Sequence, residues 1–313
     1  MEGCGNIGES GLRDGKLPWR FEWPAQWAIL DVSMEPFGKD HAAGSWKSGR
    51  EIALRIFDIE PPVPFVYEFD LIDGKKMSTR EGNVYIAQDM LELIEPEVLC
   101  YFYSMTPQKQ RNLDLHRLNF LVDAFDRFEA VALAKIEPVD TEEGEVARRS
   151  YPMCNPPGFE PVRVPYTFSA LMGVSDNDGH VLRTLEKTGH LPAGASRQQR
   201  EMVLSRVRRA RKWARHFSKE NYFEVLENPP DIKIKPEVDS ALQDLAVLLE
   251  QELNEEEVQS QVFEIARIHG IEPKLFFETI YRLFLGEKRG PRLAPFLFAL
   301  DHDFALDRLK RRK

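Results

Sequence analysis

The chain has 313 residues, of which 42% are hydrophobic and 30% charged, and its net charge is −9. That is the composition of a soluble globular protein of about two domains, and no apolar run approaches the roughly 20 residues of a membrane span. Three scattered cysteines, Cys4, Cys100 and Cys154, exclude a disulfide framework and point to a reducing, cytoplasmic setting.

The first residues lack the basic start and apolar middle of a signal peptide. Three tryptophans, Trp19, Trp23 and Trp27, then recur at four-residue spacing, which predicts one face of a turn of helix packing on a core. Val32 to Phe37 reads as a short strand running into Gly38-Lys39-Asp40-His41. A helix is expected from Ser45 to Phe57, broken by Pro61-Pro62. Pro64 to Ile72 is extended and rich in aromatic residues. Strand, glycine turn, helix and strand together predict half of a parallel α/β sheet, with ligands at the carboxyl ends of its strands.

The segment from Gly74 to Asn83 is expected to be a phosphate-binding loop. Glycines let the backbone approach a polyphosphate and the adjacent Lys75 and Lys76 carry charge toward it. Helices are predicted at Ile86–Ile94, Glu97–Met105 and Asp114–Lys135, the last with apolar residues at three-four spacing. Residues 137–165, acidic and proline-rich, read as a loop-rich connection. From 166 onward every periodic segment is helical: Tyr166–Gly173, Gly179–Thr188, Ser196–Phe217, Pro236–Gln251, Glu255–His269, Pro273–Leu285, Ala294–Leu300 and Phe304–Lys310.

One of these helices is unlike the rest. Arg197, Arg200, Arg206, Arg208, Arg209, Arg211, Lys212, Arg215 and Lys219 fall in one span with a single acid, Glu201. A solvated helix carries such charge too. In an acidic chain, however, a strongly basic segment interleaved with Trp213, His216 and Phe217 is a candidate for nucleic-acid phosphate.

The tetrad Lys76-Met77-Ser78-Thr79 with Gly82-Asn83 resembles the second signature loop of class I aminoacyl-tRNA synthetases. Three further stretches are similar to archaeal-type class I lysyl-tRNA synthetase: Gly15 to Trp27; Glu35 to Ala42; and Ile280 to Phe296 around Gly290-Pro291-Arg292. Glu95-Pro96-Glu97-Val98-Leu99, trailing the loop, belongs to the same pattern. The resemblance implies the C-terminal half of a Rossmann-type catalytic domain (1–104), a helical stem-contact region (105–165) and an all-helical anticodon-binding domain (166–313). It implies a lysine–tRNA ligase that makes lysyl-adenylate from lysine and ATP, with Mg2+, and transfers lysine to tRNA(Lys).

On this resemblance Lys76 is the catalytic residue, stabilising charge that builds on the phosphates. Lys75, Lys76, Met77, Ser78, Gly38 and Asp40 bind ATP, with Thr79 a further donor. Trp19, His41 and Tyr67 line the lysine pocket, where aromatic walls suit an ammonium head. Arg206, Arg208, Arg209, Arg211, Lys212, Arg215 and Arg292 contact tRNA. The chain departs from the family in two ways. Arg80 and Glu81 stand where Ser and Lys are commoner, and no His-x-Gly-His-like first signature precedes Gly38. A fragment, or a second polypeptide supplying the rest, is expected, and residues 1–104 should be the less stable part. Cys4 alone cannot make a zinc site, so no metal is assigned. A non-catalytic tRNA-binding module and a helical scaffold without nucleic acid remain as competing readings.

Overall fold

The computed structural model describes residues 7–9, 11, 13–78, 80, 82, 84–104, 108–137, 141–251 and 253–311. Cys4, Thr79, Glu81 and Asn83 lie outside the described residues. The chain divides into two compact units, Met1–Asn83 with Thr106–Leu113, and Val84–Met105 with Asp114–Lys313.

The first unit is a small α/β assembly. Helix α1 (Trp19–Leu30) sets its tryptophans on one face and ends at Asp31 in the left-handed region. Strand β1 (Met34–Gly38) pairs in parallel with β2 (Val63–Tyr67), in the register Gly38 against Tyr67. Between them come the short α2 (Lys39–Ala42) and α3 (Ser45–Ile52), which widens into a π turn over Ala53–Phe57. Trp23, Trp27, Phe37, Trp46 and Ala53 form the core. Each buried aromatic ring contributes about 1.5–3 kcal/mol by removing apolar surface from water. Trp27 is 1% exposed, and its indole N–H donates to the Glu35 carboxylate at 3.0 Å. Gly49 on α3 lets the two helices touch: a Cβ there would lie 3.0 Å from the Trp27 ring.

A second sheet in this unit corrects the expected loop. Strand β3 (Asp70–Ile72) is flanked by antiparallel β4 (Lys75–Lys76) and parallel β5 (Arg111–Leu113). Asp73 and Gly74 have φ of 49° and 75°, the paired left-handed conformation that closes a two-residue hairpin. The lysines therefore begin in a strand rather than in a loop. The Gly74 N–H donates to Asn112 Oδ1 at 2.7 Å, and Arg111 donates two bonds to Asp70. The hairpin is thus anchored to β5.

The second unit is helical. It contains α4 (Ala87–Leu91), α5 (Pro96–Ser104), α6 (Leu118–Ala132), α7 (Glu142–Ser150), α8 (Tyr166–Met172), α9 (Asp178–Lys187) and α10 (Arg197–Phe217). These are followed by α11 (Pro236–Leu249), α12 (Glu255–Ile268), α13 (Pro273–Leu285), α14 (Leu293–Ala299) and α15 (His302–Leu309). The boundaries follow local chemistry. Ser196 and Asn254 make capping boxes with Gln199 and Glu257, and Gly286 closes α13 with φ of 73°. One apolar core runs through α8–α15, including Val203, Leu242, Phe276, Phe284 and Phe296. Helix α7 falls in the stretch expected to be loop-rich. Thr141 caps it, and Glu142, Glu143 and Glu145 sit in its first turn, where the helix dipole favours negative charge.

No helix among the described residues is long and apolar enough to cross a membrane.

Candidate functional site

Strand β1 ends at Gly38, and the turn into α2 places Asp40 and His41 beside the carboxyl end of the parallel pair. A Cβ on Gly38 would stand 2.6 Å from Asp40 Oδ1 and 3.6 Å from the Tyr67 ring. Only a glycine leaves that carboxylate room to fold back over the chain. Asp40 and Tyr67 therefore both border Gly38, and the His41 ring lies 3.9 Å from the Asp40 carboxylate. The His41 ring lies 5.7 Å from Trp23 and 6.3 Å from Trp19. Trp19, 45% exposed, stacks on Trp23 at 5.4 Å and leaves its outer face to solvent. The three residues assigned to lysine thus include a half-exposed aromatic ring beside an imidazole.

Sequence reasoning missed Phe69. Its ring receives the Lys76 ammonium at 3.6 Å and the Lys39 ammonium at 5.3 Å. Lys39 also pairs with Glu68. A run of alternating aromatic and acidic residues after a strand was the available signal. Phe69 links the hairpin lysine to the Gly38 turn, so two stretches separated in sequence share one locus. Successive strand residues point to opposite faces, and Lys75 and Lys76 are successive residues of β4. The two ammonium groups therefore do not act as one adjacent pair in this conformation. Met77 and Ser78 follow β4 directly.

The basic helix α10 sorts its arginines by environment, and Arg206 is the correction. It is 0% exposed, because it shares a stripe with Val203, Val207, Ala210, Trp213 and Ala214 that faces the core. Its guanidinium pairs with Asp126 at 2.6 Å and Glu95 at 3.4 Å. A phosphate cannot reach it. Beside it Arg163 makes a two-pronged bond to Glu129, at 2.7 and 2.9 Å, and lies within 4 Å of Glu95 and Glu97. The Tyr151 hydroxyl donates to Glu129 at 2.7 Å. The Glu95-Pro96-Glu97 stretch thus feeds a buried ion cluster. Burial pulls the Arg206 guanidinium down, but Glu95 and Asp126 more than restore it. For Asp126, burial outweighs the arginines and pushes the carboxyl up to about 6.

The remaining α10 cations lie nearer solvent. Arg208 is exposed and pairs with Asp178 at 2.6 Å; Lys212 pairs with Glu92. Arg209 is half-buried, donating to Leu91 O at 2.8 Å and to Ser205. Arg211 lies over Tyr222, and Arg215 is exposed. Arg292 is placed elsewhere, at the start of α14 and within electrostatic reach of Glu255. Its neighbours Gly290 and Pro291 are structural: a Cβ on Gly290 would overlap the Tyr281 ring, whose hydroxyl bonds to Pro291 O.

Residues 1–154 match the family model of class I tRNA synthetases of the K type. The chain is 44% identical to the lysine–tRNA ligase of Natronomonas pharaonis, over 99% of this chain and 57% of that protein. The likeness is to the class I lysyl-tRNA synthetases. The lysine–tRNA ligases of Haloarcula marismortui and Thermococcus kodakarensis are 41% and 35% identical, over 99% and 96% of this chain. These matches cover 57% and 60% of those two proteins, so the chain spans less than two thirds of the curated relatives it matches.

Proposed function

We propose that this chain carries part of the machinery of a lysine–tRNA ligase, with the first unit acting in lysine activation. The observation that carries this reading is the meeting of Lys76 and Lys39 on the Phe69 ring, beside the Gly38–His41 turn. In the activation step a carboxylate oxygen of lysine attacks the α-phosphorus of ATP, and the bond to pyrophosphate breaks. Negative charge grows on the phosphate oxygens. The Lys76 ammonium leaves the ring, whose hold is worth about 0.5–1 kcal/mol at an exposed site, and meets that charge, stabilising the transition state more than the ground state. Met77 and Ser78 continue that phosphate-facing stretch, with Lys75 as a further charge. Asp40, beside Gly38, accepts from a ribose hydroxyl. His41, Trp19 and Tyr67 border the lysine side chain. Mg2+ would enter with the triphosphate, held by its oxygens and by water.

In this reading residues 1–104 are the C-terminal half of a Rossmann-type catalytic domain, 105–165 a stem-contact region and 166–313 an anticodon-binding domain for tRNA(Lys). The exposed cations of α10 and Arg292 supply phosphate contacts. The second step transfers lysine from the adenylate carbonyl to a hydroxyl of the terminal adenosine, releasing AMP.

Lysine-dependent exchange of pyrophosphate into ATP tests activation. Lys76→Ala should lower exchange by two to three orders of magnitude, the scale of losing one preorganised charge donor, and leave tRNA affinity within about twofold. Equal loss of both would sink the role given to Lys76. The basic α10 favours a second reading, a tRNA-binding module without catalysis. Salt-sensitive binding of tRNA(Lys) with no exchange at all would select it.

A further inference from the structure

A pocket of about 590 Å³ opens between the end of α8, the start of α9, α10 and the segment after it, entirely within the second unit. Arg211 forms its wall. The guanidinium lies 4.1 Å from the centroid of the Tyr222 ring. Its Nη1 is buried and has no hydrogen-bond partner among the described residues. A guanidinium has five donors, and one buried without an acceptor costs about 1–3 kcal/mol. An oxygen from outside the chain would satisfy it. Burial also draws the Arg211 guanidinium down from its usual range, against the neighbouring Tyr222, Glu224 and Asp176. A bound anion would reverse that.

The placement of Arg211 is built into the packing. Gly173, just past α8, has no Cβ, and one there would lie 2.7 Å from Arg211 Cβ and 3.0 Å from Cγ. Any other residue would push α10 away. Arg215 lines the same pocket, one helical turn beyond Arg211. The pocket also contains carboxylates, Asp176 and Glu224. A surface made only to track phosphates has no use for them. A pocket with guanidiniums, an aromatic face and carboxylates matches the three parts of a nucleotide: phosphate, base plane and the N–H groups of the base edge.

We propose that this pocket receives one unpaired RNA nucleotide, with its base stacked on the layer that the Arg211 guanidinium forms over Tyr222, its phosphate oxygens accepting from the in-plane N–H groups of Arg211 and from Arg215, and its edge N–H groups donating to Asp176 or Glu224. The proposal rests on the reading that the second unit binds RNA. A nucleotide inside a duplex has both faces stacked and cannot enter, so the pocket selects a base displaced from the helix.

The test uses the full chain and two fluorescein-labelled RNA hairpins, identical except for one bulged nucleotide, with affinity read by fluorescence anisotropy. The parent binds the bulged hairpin more tightly. Tyr222→Ala loses that preference by about 5- to 100-fold, the loss of one stacked base, and leaves the salt dependence unchanged. Tyr222→Phe retains the preference, which separates stacking from misfolding. Gly173→Ala, which displaces Arg211, reduces it. The proposal is overturned if the parent does not discriminate the two hairpins, or if Tyr222→Ala weakens both equally. Pyrophosphate exchange is read separately: exchange without bulge preference removes the pocket alone, and bulge preference without exchange removes the ligase reading alone.

Discussion

Arg206 shows how a charged residue in a basic helix becomes part of the core. Its identity suggested phosphate, yet it shares a stripe with Val203, Val207, Ala210 and Trp213. That three-four spacing was legible in the sequence; what was not legible was that Glu95 and Asp126 would meet it there. Removing one partner of a buried ion pair leaves the other uncompensated, at about 3–5 kcal/mol. Arg206→Ala should therefore lower the urea midpoint of the second unit sharply, whereas Arg215→Ala, at an exposed position, should hardly move it. Equal midpoints for the two variants would refute the distinction. Asp126 adds a pH signature. Its carboxyl sits at about 6 in the folded chain and near 4 when unfolded, so between those values the folded state holds more protons. The stability this gives is full below about pH 4 and is lost as pH rises through about 6, by at most about 3 kcal/mol. In Asp126→Asn the unfolding free energy should change less between pH 4 and 6 than in the parent. A slope that matches the parent would show that the carboxyl titrates normally.

At the scale of elements, the helices of the second unit other than α7 are legible in the sequence to within a few residues. Asn254, Pro273 and Gly286 mark ends by their own backbone chemistry. The hairpin is not, although Asp73-Gly74 is the dipeptide that closes one. The lysines beside it drew the reading toward a loop. Helix α7 is hidden in the same way, its Thr cap and acidic first turn lying in an acidic, proline-rich stretch that reads as a loop-rich connection. The candidate site divides along this line. The Gly38–His41 turn follows from a strand end and a glycine, whereas the Phe69 bridge depends on a long-range pairing that sequence spacing does not encode. The turn offers a clean test. Gly38 has φ of −67° and ψ of 148°, which alanine adopts freely, and the atom a Cβ would meet is the end of a flexible carboxylate. Gly38→Ala should leave stability within about 0.5 kcal/mol, the usual range away from special features, while displacing Asp40 and raising the ATP concentration needed for pyrophosphate exchange several-fold. A large fall in stability with unchanged ATP dependence would contradict that role.

At the scale of the molecule, the two units have unequal cores. The first rests on a small aromatic cluster and short strands, the second on one continuous core from Val164 to Leu309. A single cooperative transition is not expected of such a chain. Heating or urea should open the first unit at lower stress, with the helical unit persisting. Coincident loss of both in every probe would contradict independent stability of the two cores.

The partition of tryptophans gives this a practical form. Trp19, Trp23, Trp27 and Trp46 all belong to the first unit, and Trp213 alone to the second. The chain therefore carries its own optical label. Its emission reports mainly on the small unit, and its helical dichroism mainly on the large one. Trp19 and Trp23 lie 5.4 Å apart with rings inclined by 19°, and Trp23 and Trp27 lie 5.1 Å apart at 58°. Indoles that close exchange excitation, so the cluster should give a coupled pair of dichroic bands that vanishes when α1 leaves its seat. A ligand stacking on the outer face of Trp19 would alter the same bands, making occupancy of that corner visible without any added dye.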